Sequence, residues 1–97
     1  MNTSEFCEAL KLGRRIQFQY SGKDRVVEVH AVGYTRDDNA IMRAWQVRGS
    51  SASEPSGWKL FRLDEIASAR VLDEASEAPR SGYKKGDPAL HRIVCEV

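Results

Sequence analysis

The chain has 97 residues, a net charge of +1, and 41% hydrophobic and 30% charged residues, which fits one folded domain and excludes a second hydrophobic core. No apolar run approaches the roughly 20 residues that a membrane-spanning helix needs. The first residues lack the positive region and apolar stretch of a signal peptide, so we expect a cytoplasmic protein that does not contact a membrane.

A short helix is predicted first, over residues 3–12. Any of residues 2–4 can cap it, Glu5 stands at capping-box spacing from Asn2, and Gly13 can supply the left-handed residue that ends it. The hydrophobic period then changes to two, which is typical of half-buried strands. Five strands are predicted, over 15–20, 25–34, 40–48, 58–63 and 67–72.

These elements predict a mainly β fold, in which a small, closed or nearly closed five-stranded barrel occupies about 14–72 of a single 1–97 domain. A loop of small polar residues over 49–57 separates the third strand from the fourth. The tail, 73–97, begins without periodicity. Asp87 and Pro88 have the spacing of a helix cap and a first helical position, so a last short helix is expected after them.

The two cysteines, Cys7 and Cys95, stand near opposite ends of the chain. In a reducing compartment such cysteines are more often small buried apolar residues than a disulfide. His30 and His91 are not spaced against them as zinc ligands. We therefore expect two structural thiols and no metal site.

Positive charge is concentrated in residues 11–62, which hold ten basic and five acidic side chains. In the third strand Arg43 and Trp45 alternate with Met42 and Ala44, so the first pair stands outside if the second pair fills the barrel. A guanidinium beside an indole suits a flat anion through stacking, cation–π attraction and charge-assisted hydrogen bonds. The alternative is that Trp45 packs under another element while Arg43 extends to water.

The fourth strand adds further basic and aromatic groups. Alternation puts Lys59 on the face of Phe61, at the mouth of the barrel, and Arg62 on the face of Trp58. Basic and aromatic residues interleaved on adjacent strands are typical of single-stranded nucleic-acid binding. The basic-aromatic run 83–85 either reaches over this face or is an exposed loop.

The sequence contains no recognisable catalytic motif. It has no Gly-rich phosphate loop before a helix and no His-Glu-x-x-His. Two histidines without a convergent pair of carboxylates offer little for acid–base catalysis. We expect a protein that is not an enzyme and takes no cofactor.

Over 16–72 the chain resembles a known family in four places. These are Ile16-x-Phe18-x-Tyr20, then Gly22 with Arg25-Val26-Val27, then the strand 41–48, and last Phe61-Arg62-Leu63-Asp64-x-Ile66. Together they resemble the WYL domain, a bacterial Sm-like barrel, and the last segment is the most specific. The Trp-Tyr-Leu signature itself is replaced by Ala40-Ile41-Met42.

WYL domains usually follow a DNA-binding winged helix in transcription regulators and are viewed as sensors of nucleic acids or nucleotides. The resemblance implies a ligand-sensing module linked to transcription regulation or phage defence, although no DNA-binding domain is expected in these 97 residues. It places the ligand on the third and fourth strands. Carried over by position, the binding residues are Arg43, Trp45, Lys59 and Arg62, bordered by Tyr20 and Arg25.

A rival hypothesis is a protein–protein or self-assembly module without a nucleic-acid ligand. Sm-like barrels expose edge strands, and edge pairing joins barrels into dimers or rings. Glu65 places a negative charge near the supposed anion site, which favours this rival. The candidate partners are therefore a single-stranded nucleic acid or nucleotide, another protein, or a second copy in a homodimer.

Overall fold

The computed structural model describes residues 1–49 and 56–97 as one helix and a six-stranded antiparallel sheet. The elements are α1 (Thr3–Leu12), β1 (Arg14–Tyr20), β2 (Lys23–Tyr34), β3 (Ala40–Gly49), β4 (Gly57–Arg62), β5 (Ala67–Ala75) and β6 (Arg92–Glu96). A short 3-10 turn, Leu63–Glu65, joins β4 to β5. The five predicted strands are all present. Most of the loop predicted over 49–57 lies outside the described residues.

The helix prediction is confirmed, including its cap. The Asn2 side chain accepts a hydrogen bond from the backbone of Glu5 at 3.0 Å, and the Glu5 carboxylate accepts one from the backbone of Asn2 at 3.0 Å. Gly13 ends the helix at φ 68°, a conformation that favours glycine. The helix buries Phe6, Cys7 and Ala9, and full burial of a side chain such as Phe6 stabilises by about 1.5–3 kcal/mol.

The sheet has the order β4-β3-β2-β1-β5, and β6 pairs with β2 outside this path. β1 pairs with residues 23–27 of β2, and β6 pairs with residues 31–34, so both lie along β2. Within the described residues β4 and β5 form the two ends of the sheet and do not pair with each other. The closed five-stranded barrel is therefore not confirmed; the fold is a mainly β sheet with a leading helix.

The short helix predicted after Asp87 is wrong. A turn forms instead, in which the backbone of Leu90 donates to the Asp87 carbonyl at 3.0 Å, and β6 follows from Arg92. Beyond β1 the backbone of β2 needs hydrogen-bond partners, and β6 supplies them. Gly33 permits the close approach, because a Cβ there would overlap the carbonyl oxygen of Arg92.

The prediction of two free thiols is also wrong, because Cys7 and Cys95 form a disulfide with Cα atoms 5.9 Å apart. They are 88 residues apart in sequence, but β6 lies beside α1 in the fold. The prediction assumed a reducing compartment and could not see this neighbourhood.

The main core lies between α1 and the inner face of the sheet, the face that carries Met42, Ala44 and Phe61. The other, outer face carries Ala31 and Ile41, which Leu90 covers in a second, smaller core. In the described parts of the chain, no helix is long and apolar enough to cross a bilayer.

Candidate functional site

The outer face of the sheet is crossed by residues 76–91, here called the crossing segment. Residues directly opposite each other in an antiparallel pair point to the same side. Trp45 lies opposite both Glu28 and Trp58, so β2, β3 and β4 all contribute side chains to this face. The crossing segment covers them and forms a surface that no single strand could provide.

Four rings meet where the crossing segment packs on the outer face of the sheet, three from the sheet and one, Tyr83, from the segment itself. Trp58 is central, with its ring centroid 5.3 Å from Trp45, 4.6 Å from His30 and 6.1 Å from Tyr83. Two of these contacts are edge-to-face, at 89° and 76°. Such pairs add about 0.5–1.5 kcal/mol each beyond their buried area. The cluster therefore holds Trp58 and Tyr83 in place, and these two rings form the aromatic walls of a neighbouring pocket.

A pocket of about 350 Å³ opens beside these walls. Its lining comprises Arg43, Trp58, Gly82, Tyr83, Lys84, Asp87 and Pro88. Two aromatic rings, two cations and one carboxylate thus share one concave surface. Its volume falls within the range of about 300–1,000 Å³ that is usual for small-molecule sites.

Arg43 is held at this pocket by Asp87. The Arg43 Nε lies 2.6 Å from one carboxylate oxygen and Nη2 lies 3.4 Å from the other. The hydrogen bond from Arg43 lowers the pKa of Asp87, although burial opposes it. Asp87 is therefore ionised, and it orients the guanidinium while neutralising part of its charge.

Tyr83 is fixed from its other end. Its hydroxyl donates to the Glu96 carboxylate at 3.3 Å, and the same carboxylate accepts from the Gly86 backbone at 3.1 Å. Burial and the charge of Glu96 raise the pKa of Tyr83 to about 12. The phenol is therefore neutral, and the loop between Tyr83 and Gly86 is tied to β6.

A fully buried histidine, His30, lies behind both aromatic walls. Its Nδ1 is 3.0 Å from the Glu28 carbonyl oxygen, and its Nε2 is 3.0 Å from the backbone nitrogen of Arg80. A carbonyl can only accept and an amide N–H can only donate, so these partners assign a neutral ring protonated at Nδ1. Burial lowers the pKa of His30, in agreement with that assignment.

Glu28 anchors the crossing segment electrostatically. Its fully buried carboxylate accepts from Arg80 at 2.6 Å, from Arg15 at 3.0 Å and from the Glu77 backbone at 2.8 Å. Burial alone would raise the pKa of Glu28, but these donors outweigh it and hold the pKa below its ordinary value. The two arginines and the backbone N–H thus compensate the negative charge of Glu28, and a buried carboxylate is stable only with such partners.

The residues predicted from the sequence separate in the structure. Arg43 lines the pocket, while Trp45 lies behind Trp58 with the Arg80 guanidinium 5.4 Å from its ring centroid. Lys59 lies opposite Ala44, on the inner side of the sheet. Of the predicted residues Arg43, Trp45 and Lys59, only Arg43 and Trp45 therefore lie on the outer face beside the pocket.

Arg62, Tyr20 and Arg25 form a different cluster and do not line the pocket. The Tyr20 hydroxyl accepts from the Arg62 backbone at 3.2 Å, and the Arg62 guanidinium pairs with Asp64 at 2.8 Å. Arg25 is buried, donates to Gln46 at 3.2 Å and lies 5.5 Å from the centre of the Tyr20 ring. Arg25 and the Tyr20 ring are thus engaged with each other, and the Arg62 guanidinium is engaged with Asp64.

Sequence reasoning did not select His30, Arg80 or Asp87. His30 lies in a valine-rich strand and shows no motif spacing, and Asp87 before Pro88 has the spacing of a helix cap. The adjacent Tyr83 and Lys84 were the available signal, since basic and aromatic residues together often mark a binding loop.

No protein-family model, curated protein or solved structure matches this chain. The resemblance to WYL domains therefore rests on the quoted residues alone and stays a prediction.

Proposed function

We propose that this protein is a non-enzymatic binding module for a nucleotide or a single-stranded nucleic acid, linked to transcription regulation as its resemblance to WYL domains implies. The observation that carries the proposal is the pocket in which Trp58 and Tyr83 stand beside Arg43 and Lys84. Every base has an aromatic face and every nucleotide has a phosphate, and the pocket offers a partner for each.

The expected arrangement follows from the charges. A base stacks on the exposed part of Trp58 or Tyr83, which contributes about 1–3 kcal/mol per base in single-strand complexes. Lys84, which is exposed, receives the phosphate, and Arg43 supplies directed hydrogen bonds. Because Asp87 already neutralises part of Arg43, Lys84 is expected to contribute most of the salt-dependent attraction.

Fluorescence anisotropy with labelled single-stranded DNA and RNA, at low and physiological salt and with duplex DNA as a control, tests the proposal. Lys84→Ala should weaken binding and flatten the dependence of log K on log salt by about 0.7, the value for one phosphate contact on a single strand. The matched control is Lys85→Ala, since Lys85 is also exposed but does not line the pocket. Equal losses in the two variants, or no binding at low salt, would contradict the proposed site.

A second candidate function is self-assembly through the ends of the sheet. β4 and β5 end the described sheet, and each presents an exposed apolar residue, Leu60 at 43% and Val71 at 39%. An unpaired edge is a template for another strand. Light scattering at high concentration should then show a dimer or ring that Leu60→Lys disperses, whereas a monomer at every concentration would exclude self-assembly.

We also propose the finer fold assignment, an Sm-like barrel in which β4 and β5 curve toward each other. Register shifts in the β2–β3 and β1–β5 pairs support it, because bulges bend and twist strands. Hydrogen exchange tests the assignment: closure predicts slow exchange of the outward backbone amides of β4 and β5, and fast exchange in both strands contradicts it.

A further inference from the structure

The pocket depends on the crossing segment for most of its lining. Gly82, Tyr83, Lys84, Asp87 and Pro88 all belong to that segment, and the sheet contributes only two residues. Any change that lifts the crossing segment would therefore dismantle the pocket while leaving the sheet intact.

His30 is placed to control that change. Its ring lies 4.6 Å from Trp58 and 5.1 Å from Tyr83, the two aromatic walls. Its Nε2 accepts the backbone N–H of Arg80, near the start of the crossing segment. One fully buried ring thus touches both walls and one anchor of the segment.

We propose that His30 is a pH-sensitive latch for the pocket: a proton on Nε2 removes the acceptor for the Arg80 backbone and releases the crossing segment. The protonated ring carries a donor where it now has an acceptor, so two N–H groups would face each other. An unsatisfied buried donor is unfavourable enough to shift the equilibrium of a local opening. Opening admits water to the new cation and separates the pocket walls.

Burial, more than the charges around His30, opposes protonation of the closed form. From its own strand, Glu28 faces His30 and its charge favours the protonated ring, although that carboxylate is already bound by Arg80 and Arg15. From the crossing segment, the Arg80 guanidinium raises the cost of a second cation, and Tyr83 is neutral. β4 contributes Trp58, which carries no charge. The burial that lowers the pKa of His30 agrees with this picture, since the closed form rejects the proton.

The predicted effect of His30 on ligand binding rests on the proposed function. The release of the crossing segment does not, and it is measured in the absence of any ligand. In an NMR titration from about pH 7.5 to about pH 4.5, around the ordinary histidine range, the ring signals of His30 and the backbone amides of the crossing segment should change with one midpoint. Amides of the main core, such as that of Val32, should remain protected through the transition.

Two outcomes of that titration overturn the latch. One is His30 taking up a proton while the Arg80 and Gly86 amides keep their protection. The other is release of the crossing segment at a pH where His30 has not titrated. Failure of nucleic-acid binding affects neither measurement, so the latch and the proposed function fail separately.

The effect of pH on ligand binding is measured with labelled oligothymidylate. Below the pKa of His30 its dissociation constant should rise by up to about tenfold per pH unit, the limit for one linked proton. His30→Gln should remove that dependence, and His91→Gln should keep it. A pH dependence that persists unchanged in a folded His30→Gln variant refutes control by His30, and if that variant does not fold, the wild-type NMR titration decides.

Discussion

The disulfide gives the sharpest prediction about stability. It joins Cys7 to Cys95 across 88 residues, nearly the whole chain. In the chain-entropy model a closed loop of that length restricts the unfolded state by about 4.6 kcal/mol at 25 °C. A domain of this size is stable by about 5–15 kcal/mol in total, so one bond accounts for a large share. Reduction should therefore remove between about a third and nearly all of that free energy of unfolding.

The assay is urea unfolding followed by far-ultraviolet circular dichroism, with and without a dithiol reductant. The oxidised protein should exceed the reduced protein by about 3–5 kcal/mol in free energy of unfolding, since other disulfides of long span seldom give more. A Cys7→Ala plus Cys95→Ala variant is the control and should match the reduced protein, unaffected by the reductant. A difference below about 1 kcal/mol would refute the reasoning and would mean that the reduced, unfolded chain already keeps its ends together.

Three further predictions concern the sheet and its buried charges. Glu28→Ala should lower the free energy of unfolding by about 3–5 kcal/mol, because it removes the buried carboxylate to which Arg15, Arg80 and the Glu77 backbone all donate, whereas Glu74→Ala, at an exposed pair, should change the urea midpoint little. Gly33→Ala should lower the free energy of unfolding by about 1–3 kcal/mol or more, because the added Cβ would overlap the Arg92 carbonyl oxygen. An unchanged melting temperature would contradict the close approach of β6. Acid should destabilise the protein in two steps. The folded-state pKa values of His30 and Glu28 are both lowered, so the unfolded chain takes up these protons first, and stability falls as pH drops below about 6.5 and again below about 4.5. A urea midpoint that stays constant from neutral pH to about pH 5 would argue against the first step.

The parts of the fold that the sequence predicted depend on local patterns. The capping box of Asn2 and Glu5 and the left-handed Gly13 are spaced within one helix, and the period-two runs of β1–β5 lie within single strands. Each pattern is complete within about a dozen residues, so it can be seen without knowing the rest of the fold.

The sequence did not predict β6 or the disulfide, because both depend on contacts between residues that are far apart in the chain. Leu90, Ile93 and Val94 fit a helical spacing, but 93, 95 and 97 also alternate as a strand would. The decision between these readings came from the backbone of β2 beyond β1, which is some 60 residues away. Tertiary pairing outweighs local propensity in such cases.

The candidate site likewise has parts that local patterns predict and parts that depend on distant contacts. Strand alternation correctly separates Arg43 and Trp45 from Met42 and Ala44, which are buried. It cannot predict that Asp87 returns from a distant turn to hold Arg43, because that contact spans 44 residues. The binding role of either face stays a prediction.

The aromatic cluster also makes the protein its own optical probe. The chain contains two tryptophans, and both lie on the outer face with their rings 5.3 Å apart and nearly perpendicular. Intrinsic emission and the near-ultraviolet dichroism of the indoles therefore report on one face of the sheet and carry no signal from the phenylalanine core. A change in these spectra without a change in the far-ultraviolet spectrum would identify an event at the crossing segment, with no attached dye.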